Sequence, residues 1–144
     1  MDELRGFIRN RAFAQQIRDF SGMRFGNITP TDIDGFIEYK NRGFVVIESK
    51  FGQSKLQGGQ RLAFERLIDA LGATKPSLLV VGSHIEGIGE DILIDQSIVT
   101  EYRFEKLWRV PKTTLTVYEI VNKFLARLDS HANDFTKTLD SCAF

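Results

Sequence analysis

Residues 31–51 read Thr-Asp-Ile-Asp-Gly-Phe-Ile-Glu-Tyr-Lys-Asn-Arg-Gly-Phe-Val-Val-Ile-Glu-Ser-Lys-Phe, and they hold the side chains best suited to chemistry. Asp34 opens one strand-like run; Glu48 and Lys50 stand near the end of the next. The second run, residues 43–51, begins Phe44-Val45-Val46-Ile47, the pattern of a strand buried on both faces. A strand of that kind does not accept charges without compensation, because each buried charge is costly unless paired or bound to a metal. The period of two puts Glu48 and Lys50 on one face, neighbours along the strand. Two carboxylates and an amine at a strand end suit a hard divalent cation and a phosphodiester.

Whether Asp34 joins the other two depends on the loop between the runs. Lys40-Asn41-Arg42 followed by Gly43 fits a three-residue loop closed by a glycine that tolerates positive φ. Pairing Tyr39 with Gly43 sets Asp34 opposite Glu48 and Phe36 opposite Val46, and all three polar groups then share a face. A two-residue loop would set Asp34 opposite Ser49 and turn it away, since a slip of one residue exchanges the faces.

A fourth polar group comes from the next element. Gly58-Gly59 introduces a helix over residues 59–71 with Phe64, Leu67, Ile68 and Leu71 as its buried stripe. Gln60 lies on that stripe one turn before Phe64, so its amide points at the sheet near Glu48 and Lys50. Gly72 closes the helix and Pro76 prevents its continuation.

An aspartate, roughly a dozen residues across a hairpin, then Glu-x-Lys resembles the PD-(D/E)XK nuclease superfamily. That group includes many restriction enzymes, archaeal Holliday-junction resolvases and lambda-type exonucleases. Gln60-Arg61-Leu62-Ala63-Phe64 is similar to its Gln-x-x-x-Tyr motif, with Phe in place of Tyr. The resemblance covers residues 20–85 and implies a restriction-endonuclease-like α/β fold. This is a three-layer α-β-α sandwich with a central mixed sheet and a helix-β-β-β-helix-β core. It implies a deoxyribonuclease dependent on Mg²⁺ or Mn²⁺, structure-specific and serving repair, recombination or phage DNA processing. Asp34 and Glu48 would then be metal ligands, with Asp32 competing for the role of Asp34. Ser49 would lend its backbone carbonyl to the metal, Lys50 would be the catalytic lysine, and Gln60 would position the lysine or the nucleophile. Arg5, Arg9 and Arg11 are candidate contacts to the DNA phosphate backbone. Two other readings remain: an inactive nucleic-acid-binding or assembly module that kept the fold, and an enzyme of another kind using the acidic pair.

The elements that must position these groups follow from periodicity. A first helix is expected over residues 3–20, strands over 23–28, 33–39 and 43–51, and a second fully buried strand over 77–83, parallel to the Glu48 strand. Ile98, Tyr102, Phe104 and Trp108 fall on one face of an alternating stretch, with Glu101, Arg103, Glu105 and Arg109 on the other, as in an exposed antiparallel edge element. Thr116-Val117-Tyr118-Glu119 is a capping box that opens a final helix, and residues 130–144 read as a frayed tail.

The 144 residues, 42% hydrophobic and 26% charged, are expected to form a single globular domain over 1–144. No apolar run reaches membrane-spanning length and no signal-peptide core is present, so an intracellular, cytoplasmic protein is expected, with no membrane partner. The lone Cys142 excludes an internal disulfide and a cysteine-built zinc site, and His84 and His131 cannot make a histidine-rich one. The net charge is zero, which points to modest, salt-sensitive DNA affinity or to a homodimer or protein partner that adds grip. Charge is nevertheless uneven, with Arg5, Arg9, Arg11, Arg18 and Arg24 crowding the N-terminal segment.

Overall fold

In the computed structural model, which describes residues 19–130, strands β1 (Gly35–Tyr39) and β2 (Gly43–Phe51) pair antiparallel. Tyr39 stands opposite Gly43, Phe36 opposite Val46 and Gly35 opposite Ile47, the register that a three-residue loop demands. The loop reaches it by a different route from the expected one. The left-handed residues are Lys40 (φ 49°) and Asn41 (φ 58°), and Arg42 N–H closes the turn on Tyr39 O at 2.7 Å. Gly43 is instead required by close approach: a Cβ there would lie 2.6 Å from Pro76 O and 2.7 Å from Leu128 Cδ1. Gly43→Ala should therefore lower stability by about 1–3 kcal/mol, the usual cost of overpacking, measured by thermal or urea unfolding. An unchanged midpoint would show that Leu128 and the Pro76 strand move aside freely.

Helix α1 (Gly58–Gly72) carries the chain from β2 to β3 (Ser77–His84), which runs parallel to β2 with Glu48 beside Val81 and Lys50 beside Ser83. Gly72 keeps a negative φ, and the chain leaves the helix through Thr74 and Lys75 N–H bonds to Leu71 O. A short 3₁₀ turn (Ile94–Gln96) leads into β4 (Ile98–Phe104), β5 (Leu107–Arg109) and helix α2 (Val117–Ser130). Among the described residues the result is an α/β arrangement: a five-stranded mixed sheet of order β1-β2-β3-β4-β5 with two helices.

Alternation along the central strands splits the core in two. Val46, Leu79 and Val81 face Leu56 and the α1 residues Phe64 and Ile68. Val45, Ile47, Leu78 and Val80 face the α2 residues Val117, Ile120, Val121, Phe124 and Leu128. The capping box forms as its spacing dictates: Glu119 N–H donates to Thr116 Oγ1 at 3.1 Å, and Glu119 Oε1 accepts from Thr116 N–H at 3.3 Å. Near the other end of α2, Asp129 Oδ2 accepts from the Tyr39 hydroxyl at 2.7 Å, and Lys40 and Arg42 stand beside it. The tyrosine hydrogen bond, then the lysine charge, hold the Asp129 carboxyl below its ordinary range. A carboxyl lowered in the fold adds stability that is present above its unfolded pKa and lost as pH falls through the folded value. Tyr39→Phe should thus let the Asp129 pKa rise, as read by an NMR titration of its carboxyl carbon. A pKa that stayed in place would assign the effect to the two cations.

Two expected elements differ. Residues 23–28 form no strand: Phe25 and Ile28 make an isolated bridge across a tight turn at Gly26 (φ 65°) and Asn27. Among the described residues two strands, not three, precede α1. The stretch around Trp108 is a hairpin that turns at Glu105 (φ 50°) and Lys106 (φ 67°), which sets Trp108 opposite Arg103. A two-residue turn exchanges faces relative to straight alternation. Trp108 therefore packs on the α1 side with Arg103, and Tyr102 and Phe104 enter the other core.

Contacts divide the chain after Asp32, and Ile33 begins the unit that holds the whole sheet. The helix expected over 3–20 lies outside the described residues except at Asp19 and Phe20, and the tail beyond Ser130 lies wholly outside them. Among the described residues no helix is long and apolar enough to cross a membrane.

A candidate active site at the end of strand β2

At the C-terminal end of β2 the hydrophobic run gives way to Glu48-Ser49-Lys50, and the α1 face of the strand becomes charged. Glu48 is 4% exposed, yet its carboxylate is not isolated. Gln60 Nε2 donates to Glu48 Oε1 at 3.1 Å, Lys50 Nζ donates to Gln60 Oε1 at 2.7 Å, and Lys50 Nζ lies 3.5 Å from Glu48 Oε1. An ammonium can only donate and a carboxylate can only accept, so these two partners fix which way the amide faces. Two periods cooperate here. The strand repeat of two aligns Glu48 with Lys50, and the helical repeat places Gln60 one turn before the buried Phe64. Phe64 and Leu56 form the apolar floor on the same side of the sheet.

Asp34 joins from the β1 side. It precedes β1 by one residue, is exposed, and its Oδ2 accepts from Ser49 N–H at 2.8 Å. In an extended strand the N–H and C=O of one residue face the same edge. The peptide of Ser49 thus turns its carbonyl toward the edge where Asp34 sits. Ser49 Oγ lies on the opposite face, 3.5 Å from the hydroxyl of buried Ser97.

Among the sequence-derived candidates, the structure brings Glu48, Lys50 and Gln60 into direct contact and ties Asp34 to the Ser49 peptide. Asp32, the last residue of the first unit, is exposed. Arg5, Arg9 and Arg11 lie outside the described residues. The His84 ring meets Phe51 edge-on, and its Nδ1 is 3.5 Å from Glu86 Oε2.

The donors present suit a hard cation. Asp34, Glu48 and a main-chain carbonyl offer oxygen alone, and Mg²⁺ is commonly held by one or two carboxylates with waters and substrate phosphate completing its shell. Among the described residues no three His, Cys, Asp or Glu side chains gather at one place, so a larger all-protein cage is not formed there.

Sequence reasoning passed over a neighbouring group. Arg61 Nη1 donates to Glu101 Oε1 at 2.6 Å and to Leu56 O at 3.1 Å, and its guanidinium stacks 3.9 Å from the Trp108 ring centre. Further along α1, Asp69 takes both ends of the Arg103 guanidinium at 3.0 and 2.8 Å, which raises the arginine pKa further. Alternation alone leaves Glu101 and Arg103 facing solvent, because it does not show that α1 lies across that face. No family model matches this chain, and neither a curated protein nor a solved structure does.

Proposed function

We propose that this chain is a divalent-metal-dependent nuclease with a restriction-endonuclease-like fold, hydrolysing phosphodiester bonds of DNA. The observation that carries the reading is the Lys50–Gln60–Glu48 bridge at the end of β2, with Asp34, just before the neighbouring strand, bonded to the Ser49 N–H. In this reading Asp34, Glu48 and the Ser49 carbonyl hold Mg²⁺ or Mn²⁺. A bound divalent cation supplies a water of lowered pKa and offsets charge on the phosphate. Lys50 sets its ammonium against the oxygen that gains charge, where a preorganised cation stabilises the transition state more than the ground state. Gln60 holds that ammonium in place through its carbonyl oxygen and keeps Glu48 oriented through its amide. Structure-specific repair, recombination or phage DNA processing remains the proposed setting. The N-terminal arginines are proposed as phosphate contacts that position the duplex, and a second copy or protein partner as added grip.

One observation favours a second reading. Glu48 and Lys50 already touch, as a structural ion pair would, and an assembly module that retained the fold would show the same contact. Incubation with plasmid, linear, branched and single-stranded DNA, in Mg²⁺, Mn²⁺ or EDTA, separates the two. Metal-dependent cleavage of any of these supports the nuclease. Binding without cleavage across the whole panel supports the module.

A further inference from the structure

We propose that Arg61 is a positioning residue for the Lys50–Gln60–Glu48 bridge, fixing the first turn of α1 where Gln60 reaches both partners. The catalytic consequence rests on the nuclease reading; the positioning itself does not. The start of α1 is poorly fixed by local means. Gln57, at the cap position, is extended and its side chain makes no capping hydrogen bond; the first turn holds no acid. Gly58 has φ 61°, and neither Gly58 nor Gly59 has a side chain to anchor it. Helix starts of this kind lack the capping contacts that hold free N–H groups and set the entry angle.

Arg61 supplies that anchorage from the opposite side. Adjacent helix residues point about 100° apart, so Gln60 reaches toward β2 while Arg61 reaches toward β4 and β5. One guanidinium ties Glu101 of β4, the Leu56 carbonyl just before the helix, and the Trp108 ring of β5. Trp108 Nε1 in turn donates at 2.6 Å to Glu65, which sits 3.7 Å from Arg61 Nε one helical turn on. The cluster joins α1 at two positions to both strands of the hairpin. Gln60 must satisfy contacts of 2.7 and 3.1 Å at once, and a drift of about 1 Å at the helix start would open both. Planarity, several donors and stacking in a single side chain make this a task for arginine that lysine meets only in part.

The test uses the full chain and reads the side-chain amide ¹H–¹⁵N signals of Gln60, identified by their loss in Gln60→Glu. In the wild type they are expected apart from those of exposed glutamines, because the amide donates to a buried carboxylate. Arg61→Met keeps the aliphatic stem over Trp108 but removes the donors. In that variant the Gln60 signals are expected to move to the exposed position, with kcat for cleavage down about 10- to 100-fold and KM little changed. Arg61→Lys is expected to restore both in part. A folded Arg61→Met with unmoved Gln60 signals overturns the proposal. If Arg61→Met does not fold, Arg61→Gln, which removes the guanidinium from Glu101, Leu56 and Trp108 together, is read in the same way. Wild-type Gln60 signals already at the exposed position would overturn the bridge itself. Signals that move as expected in a protein that cleaves nothing support the positioning and count against the nuclease.

Discussion

Lys50→Ala should lower metal-dependent turnover about 100- to 1,000-fold, the usual cost of removing one preorganised group aimed at developing charge. DNA affinity should change by no more than about fivefold, near 1 kcal/mol, because a group that acts mainly in the transition state contributes little to ground-state binding. The variant should also lose some stability. Glu48 is 5% exposed at its side chain and would keep Gln60 but lose the Lys50 ammonium. Removing one partner of a fully buried pair costs about 3–5 kcal/mol; here the loss should be smaller, since the Lys50 side chain is 22% exposed and the gap opens to water. Turnover is therefore compared well below the melting temperature of the variant, with binding measured in Ca²⁺ or EDTA. Undiminished cleavage would leave Lys50 a structural partner of Glu48 and end its catalytic assignment.

What the sequence reveals of this fold is whatever local periodicity can carry. The β1–β2 register follows from a loop of odd length, because one residue more or less exchanges the faces of every side chain. The separation of the two cores follows from Val45-Val46-Ile47 and Leu78-Leu79-Val80-Val81, which alternate between α2 and α1. Where the reading departs, the deciding contact is distant or the turn carries no signal. Gly43 looks like a loop glycine but is held by Pro76 and Leu128, far away in sequence. Glu105-Lys106 lacks the Asn-Gly or Asp-Gly that marks a two-residue hairpin, so apolar alternation by itself runs straight through to Trp108. At residues 23–28 the signal was present, since Gly26-Asn27 is turn chemistry, and the short apolar run around it obscured it.

The candidate site divides along the same line. Glu48, Lys50 and Gln60 are legible because each is placed by its own element's repeat, and the parallel crossover through α1 brings the helix start beside the strand end. Asp34 is legible through the loop, although its contact with the Ser49 peptide is a geometric detail that register alone does not give. The Arg61 cluster is not legible, because it exists only once α1 crosses β4 and the hairpin has folded Trp108 back. A charged residue beside a recognised motif then looks like part of a solvated face. In the structure it ties three elements together, with Glu101 and Trp108 as its partners.

Glu48→Gln tests whether the carboxylate serves a cation or only Lys50. The amide fills the same volume and still offers an oxygen to Gln60 Nε2. Removing the negative charge costs the contact with Lys50 but relieves the desolvation of a nearly buried carboxylate, and these terms oppose each other. The melting temperature without metal should thus change little, by less than the equivalent of about 1 kcal/mol. Cleavage should fall below detection, because a neutral amide is a poor ligand for a hard dication. The wild type should gain stability with rising Mg²⁺ as RT ln(1 + [L]/Kd), about 2.7 kcal/mol at a hundredfold excess over Kd. Glu48→Gln should show little of that gain, and Asp34→Asn likewise if both carboxylates share one ion. A large loss of stability in Glu48→Gln together with a wild type indifferent to Mg²⁺ would mean that Glu48 is there to neutralise Lys50. The assembly module would then replace the enzyme.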